Sequence, residues 1–91
     1  MPAMFDTDEV DRTLRSVLSD VLGIDRARVD AFDAATELFG SLPQFDSMAV
    51  AGVLTELEER LGIVIDDDEV DGELFERFGN LLTFAKAKSL A

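Results

Sequence analysis

Residues 45–63 read Phe-Asp-Ser-Met-Ala-Val-Ala-Gly-Val-Leu-Thr-Glu-Leu-Glu-Glu-Arg-Leu-Gly-Ile, and they predict a helix with a clear start and end. Asp46 or Ser47 can supply the N-cap oxygen, because both side chains accept hydrogen bonds from orphan backbone amides. Gly62 suits the left-handed position that ends a helix. The apolar residues recur at helical spacing and predict a buried stripe, formed by Val50, Leu54, Leu57 and Leu61. We therefore predict a helix over residues 47–61.

An earlier helix is predicted over residues 7–22 by the same three signals. Asp6 and Thr7 are alternative N-caps, and Glu9 completes a capping box with Asp6. Gly23 marks the end of the helix. The apolar residues again fall on one face: Val10, Leu14, Val17, Leu18, Val21 and Leu22.

The remaining segments complete a small all-α fold. Residues 24–46 form a connection long enough to have a structural role of its own. We expect it to lie across the helices, with a helical turn near Thr36–Phe39 and with Phe39 and Leu42 in the core. After an acidic turn, a short third helix is predicted over residues 73–78 and a last helix over residues 80–90, capped by Asn80. The prediction is a single four-helix bundle domain over residues 1–91.

Composition restricts the function. The net charge is −12, and residues 29–76 hold 14 of the 20 acids but a single base, Arg60, for a net −13. Such a surface repels phosphate backbones and anionic lipids and favours basic protein partners, so we expect neither nucleic-acid nor membrane-surface binding.

Several chemically active residue types are missing from the chain. It has no Cys, His, Tyr or Trp, which excludes disulfides and leaves no side chain that ordinarily titrates near neutrality. We therefore expect a partner or substrate of enzymes and no catalyst. No apolar run is long enough to span a membrane. The first residues lack the basic and apolar regions of a signal peptide, so the expected compartment is the cytoplasm.

Ser47 is the candidate functional residue, although a serine at a helix start is more often only a cap. Asp46 can provide the cap, which leaves the Ser47 hydroxyl in the first turn, where it can face outward. A helix N-terminus is also a favourable place for a phosphate group. The flanking Phe45 and Met48 are apolar and suit the cleft of another protein.

Five segments carry a resemblance to a known family. They are Leu22-Gly23, Leu38-Phe39-Gly40, Phe45-Asp46-Ser47-Met48, Leu57-Glu58-Glu59-Arg60-Leu61-Gly62-Ile63 and the tail that begins at Phe78. Together they resemble the acyl carrier protein family across essentially the whole chain. The insert at 40–44 and the turn at 67–72 are most similar to stand-alone carriers associated with bacterial exosortase and exopolysaccharide gene clusters.

The resemblance implies that Ser47 carries 4′-phosphopantetheine, with Asp46 as the flanking motif residue. The arm would come from coenzyme A through a separate, magnesium-dependent phosphopantetheinyl transferase. The other implied partners are an acyl-loading ligase or synthase and an acyltransferase of fatty acid or polyketide biosynthesis. The carrier itself would be a monomer that holds acyl groups as thioesters.

The second predicted helix is the expected docking surface for these partners. Its candidate contact residues are Met48, Ala49, Gly52, Val53, Glu56 and Glu59. Fatty-acid carriers usually have acids at the positions of Ala49 and Gly52, so this chain favours a dedicated partner. The alternative for Gly52 is that it only permits close helix packing.

Three other functions stay open at this point. One is an aminoacyl or peptidyl carrier, and another is an acidic helical adaptor without an arm. The third is a calcium site at Asp67–Gly72, where Asp67, Glu69, Asp71 and Gly72 match the first, third, fifth and sixth positions of an EF-hand loop. The twelfth position should be a bidentate glutamate but is Phe78, which argues against a metal site.

Overall fold

The computed structural model describes residues 6–39 and 46–90, without the side chain of Leu90. The described residues therefore exclude the 40–44 insert, with Leu42 in it, and Phe45. The elements are α1 (Thr7–Leu22), α2 (Arg26–Asp30), α3 (Ser47–Leu61), a 3₁₀ turn (Asp67–Glu69) and α4 (Phe78–Leu90). Helix α1 packs against the other three helices. The predicted all-α class with four helices is confirmed, since the described ranges contain no strand beyond one isolated bridge.

Helix α1 has the predicted bounds. The Asp6 carboxylate accepts a hydrogen bond from the Glu9 amide at 2.8 Å. Gly23 adopts φ 68° and donates its amide to the Ser19 carbonyl, which ends the helix. The predicted face is buried except for Val21, which is half-buried at its edge.

Helix α3 also has the predicted bounds, but its buried face is rotated from the expected one. Asp46 caps the start, and Gly62 ends the helix with φ 64°. The buried residues are Val53, Leu57 and Leu61, whereas Val50 and Leu54 lie at the margin of the core. Because the stretch 48–54 is almost entirely apolar, hydropathy could not locate its buried face.

The connection after α1 contains helix α2, which the sequence analysis missed. Its five residues are too few for a visible helical period. The Arg15 guanidinium holds it against α1: Nη1 donates to the carbonyls of Val29, Asp30 and Phe32 at 2.8, 3.1 and 3.0 Å. The same guanidinium lies 4.5 Å from the Phe78 ring centroid, so one side chain joins α1, the end of α2 and α4.

The predicted helix at 73–78 and the predicted turn at Thr36–Phe39 are both wrong, for one reason. These two segments pair with each other. The amides of Leu38 and Phe78 donate to the carbonyls of Glu76 and Thr36, at 3.0 and 2.8 Å, around an antiparallel bridge between Glu37 and Arg77. Several of their backbone groups therefore bond across the molecule and are not available for local helices.

Helix α4 begins two residues earlier than predicted, at Phe78. Asn80 is not its cap: it lies inside the first turn, and its Nδ2 donates to the Glu73 carbonyl at 2.8 Å. Gly79 lets the start of α4 lie close to the backbone of Ala34, since a Cβ placed on Gly79 would lie 2.7 Å from the Ala34 carbonyl oxygen.

Among the described residues, 17 apolar side chains from all four helices and their connections are buried in the core. Phe78 and Phe32 meet edge to face, with ring centroids 5.9 Å apart. Leu38 is fully buried, but its neighbour Phe39 is 52% exposed, so the prediction of Phe39 in the core is wrong. Within the described ranges, no helix is both long enough and apolar enough to cross a membrane.

Candidate functional site

Ser47 is the first residue of α3 and is exposed. The cap is Asp46, whose Oδ1 accepts the Ala49 amide at 2.8 Å and whose carbonyl accepts the Val50 amide at 2.9 Å. The cap therefore does not depend on the Ser47 side chain. This arrangement agrees with the prediction that Asp46 caps the helix and that Ser47 follows it in the first turn.

A cavity of about 280 Å³ lies beside Ser47. Val50 of α3 forms one side of it, and Phe39 and Phe75 form another. The other lining residues are Val70, Asp71 and Gly72. Most of this lining is apolar, so the site combines an exposed hydroxyl with a space suited to an aliphatic group.

Backbone pairing fixes the aromatic side of the cavity. The Phe39 amide donates to the Phe75 carbonyl at 3.0 Å, next to the bond from Leu38 to Glu76. In extended backbone, successive side chains point to opposite sides. Leu38 therefore enters the core while Phe39 lines the cavity. This role of Phe39 was not predicted, and the signal for it was the adjacent pair Leu38-Phe39, because only one of two neighbours in extended backbone can face the core.

Ion pairing and local hydrogen bonds hold the part of the cavity lining that contains Val70 and Gly72. The Glu69 carboxylate accepts the Asp66 amide at 2.8 Å and the Lys88 Nζ of α4 at 3.0 Å. The amide of Asp66 and, after it, the ammonium of Lys88 hold the pKa of Glu69 below its ordinary value. Asp71 Oδ1 accepts the Leu74 amide at 3.0 Å. The segment that carries Val70 and Gly72 is thus anchored at both ends.

The exposed face of α3 differs from the predicted docking face. Met48 is 85% exposed, and Ala51, Thr55 and Glu59 follow it on the solvent side. We call these four residues the α3 stripe. It carries no charge until Glu59, in the fourth turn.

The candidate docking residue Val53 is fully buried, so the expectation of its exposure is wrong. Ala49 and Gly52 are half-buried. A Cβ on Gly52 would lie 3.1 Å from Val21 Cγ1 of α1. Close helix packing, which was the alternative explanation for Gly52, therefore accounts for this glycine.

Glu56 is half-buried and engaged within the molecule. Arg60 Nε donates to Glu56 at 3.0 Å, and Arg60 Nη2 donates to Asp20 of α1 at 2.9 Å. The hydrogen bond that Arg60 donates to Asp20 and, after it, the one to Glu56 raise the pKa of Arg60 above its ordinary value. Glu56 thus helps to join α3 to α1, whereas Glu59 is exposed.

The acidic turn does not have the arrangement of a calcium loop. Glu69 faces Asp66 and Lys88, and Asp71 caps the Leu74 amide. In the part of the chain that the structure describes, no three acidic side chains are grouped to hold a metal ion.

Comparison with known proteins identifies the family. Residues 12–85 match the phosphopantetheine attachment site family. The solution NMR structure of a holo acyl carrier protein from Nitrosomonas europaea is similar, with 37% sequence identity and a TM-score of 0.76. That match covers 86% of this chain and 92% of the other. No protein of curated function matches the sequence. The chain therefore belongs to the acyl carrier proteins, which hold acyl groups on a covalent 4′-phosphopantetheine arm and are carriers and not enzymes.

Proposed function

We propose that Ser47 is the residue that carries the arm. The observation that carries this proposal is that Asp46 caps α3 while Ser47 stands exposed in the first turn, beside the cavity. The positive end of the helix dipole favours a phosphate at this position. The fit is therefore good for both ends of the arm: phosphate at the helix start and an acyl group near apolar walls.

In the proposed attachment, Ser47 Oγ forms a bond to the phosphorus that carries the pantetheine, and adenosine 3′,5′-bisphosphate leaves from coenzyme A. The serine proton goes to a base. Because this chain has no histidine, the transferase supplies that base together with Mg²⁺. The arm supplies a thiol to a chain that has no cysteine, and its flexible tether raises the effective concentration of the acyl group at each partner.

We propose that partner enzymes dock on the α3 stripe beside Ser47. Exposure of Met48 and the absence of charge at Ala51 and Thr55 favour an uncharged, apolar centre, with a basic group opposite Glu59 at the margin. Of the residues proposed from the sequence, Met48 and Glu59 stay in this surface. Ala49 and Gly52 are half-buried, and Gly52 lets α3 pack closely on α1. The partner classes are a phosphopantetheinyl transferase, an acyl-loading ligase or synthase, and an acyltransferase.

Intact-mass spectrometry tests the proposal. The purified chain is incubated with coenzyme A, Mg²⁺ and a broad-specificity phosphopantetheinyl transferase, in parallel with Ser47→Ala and Ser41→Ala. We expect the wild type and Ser41→Ala to gain one phosphopantetheine and Ser47→Ala to gain none. Because Asp46 provides the cap, Ser47→Ala should keep its circular dichroism spectrum. Modification of Ser47→Ala would refute the assignment, and no gain in any chain with several transferases would favour the adaptor function.

We further propose a cytoplasmic, monomeric carrier that serves a dedicated pathway of the exosortase or exopolysaccharide type. This rests on the similarity of the 40–44 insert and the 67–72 turn to such carriers, and on the lack of charge at Met48, Ala51 and Thr55 of the α3 stripe. Sedimentation tests the monomer. The neighbouring genes test the pathway: an acyl ligase or acyltransferase beside surface-polymer genes supports it, and a fatty-acid synthase cluster contradicts it.

A further inference from the structure

Gly72 has no structural reason to be glycine within the described part of the chain. Its φ is not in the left-handed region, unlike those of Gly23 and Gly62. A Cβ placed on Gly72 meets no described heavy atom within 4 Å, whereas one on Gly79 would meet the backbone of Ala34. Glycine in a loop loses more conformational freedom on folding than other residues do, so an unneeded glycine weakens the fold. The missing side chain must therefore be explained by something other than folding.

Gly72 lines the cavity beside Ser47, together with the apolar residues Phe39 and Phe75. Phe39 is 52% exposed there, while Phe75 behind it is buried. An aliphatic chain in this space would cover the Phe39 ring and remove apolar surface from water. Among the described lining residues only Asp71 is charged, and one of its oxygens accepts the Leu74 amide.

Two parts of the cavity lining near Gly72 are held by hydrogen bonds or an ion pair. Phe39 and Phe75 are joined through their backbones at 3.0 Å. On the other side, Glu69 and Lys88 hold the turn that leads into Val70. A side chain at position 72 would therefore take up part of the free space.

We propose that Gly72 is the specificity-determining position of this cavity. It leaves room for an unbranched aliphatic acyl chain carried on the arm, and the size of the residue at 72 sets the longest chain that enters. The proposal rests on the attachment of the arm at Ser47. The apolar lining residues Phe39, Val50, Val70 and Phe75 suit the aliphatic part of such a chain.

The test uses the full chain with Gly72→Ala, Gly72→Val and Gly72→Leu. A promiscuous transferase loads each with short, medium and long unbranched acyl arms from the corresponding acyl-coenzyme A. Amide NMR shifts of Val50, Val70 and Phe75 between the arm alone and the acylated arm report entry of the chain. Ala35→Val, which adds a β-branched residue to an exposed turn away from the cavity, is the matched control.

We expect the acyl-dependent shifts in wild type to grow with chain length up to a limit. The limit should move to shorter chains with Gly72→Val. With Gly72→Leu the acyl-dependent shifts should disappear at every chain length. The melting temperature of each variant should equal or exceed that of the wild type. Phe39→Leu should move the limit to longer chains, and Ala35→Val should leave it unchanged. An unchanged limit in Gly72→Ala and Gly72→Val would overturn the proposal. Failure of the Ser47 assignment is distinguishable, because then Ser47→Ala would still gain the arm or no chain would gain it.

Discussion

Arg15→Met should destabilise the fold strongly, because Arg15 donates hydrogen bonds to backbone carbonyls at the end of α2. The Arg15 side chain is only 15% exposed and also pairs with Asp11. Methionine retains most of the apolar stem but removes every donor. The carbonyls of Val29 and Phe32, both buried residues, then lose a charged donor.

The magnitude follows from the donor count. Nη1 carries two hydrogens, so its three carbonyl acceptors share about two hydrogen bonds. Hydrogen bonds to a charged group contribute about 1.5–3 kcal/mol each, and the cation–π contact with Phe78 adds about 1 kcal/mol. Asp30 is exposed, and water can replace part of its hydrogen bond. The lower end of the hydrogen-bond range together with the cation–π contact gives about 4 kcal/mol, and water at Asp30 reduces this, so we expect a loss of about 3 kcal/mol in the free energy of unfolding.

Urea unfolding followed by circular dichroism measures this loss, with Arg12→Met as the matched control from the exposed side of α1. At about 4–8 °C per kcal/mol for a domain of this size, the melting temperature should fall by roughly 12–24 °C. Arg12→Met should change stability by less than about 0.5 kcal/mol. Equal midpoints for the two variants would refute the role of Arg15.

Three further predictions address the crossing at α4, the acidic turn and the docking face. Gly79→Ala should lose about 2 kcal/mol by overpacking, because its Cβ would lie 2.7 Å from the Ala34 carbonyl oxygen; an unchanged urea midpoint would contradict this crossing. A ¹³C NMR titration should give Glu69 a pKa below its ordinary value, and Lys88→Met should raise that pKa only in part, because a backbone amide is the larger cause. Since the pKa is lowered in the folded state, the contribution of Glu69 to stability is present above its unfolded pKa and is lost as the pH falls through the folded value; a normal pKa in wild type would contradict the contact. Ala51→Glu should slow loading by a cognate partner without changing the melting temperature, and unchanged kinetics would remove Ala51 from the proposed docking surface.

The two long helices could be predicted to the residue, because each has a cap, a run of apolar residues at helical spacing and a terminal glycine. Asp6 and Gly23 delimit α1, and Asp46 and Gly62 delimit α3. These signals are local, and they depend on hydrogen bonds within four residues of each terminus. The serine at the start of α3 was found for the same reason.

The connecting segments could not be predicted, because their structure depends on contacts distant in sequence. Nothing near Arg15 indicates that its guanidinium will hold carbonyls 14 to 17 residues away. Likewise, Phe75 and Phe39 form one side of the cavity only because their backbones pair across the molecule. The missed cavity and the misplaced third helix have this common cause.

The central claim is that the arm sits on Ser47, and peptide mapping tests it most directly. Cleavage after Arg28 and Arg60 releases residues 29–60 as one peptide, which contains both Ser41 and Ser47. After transfer from coenzyme A, fragmentation of this peptide should place the phosphopantetheine on Ser47. A phosphopantetheine on Ser41, on a threonine or on another peptide would contradict the assignment.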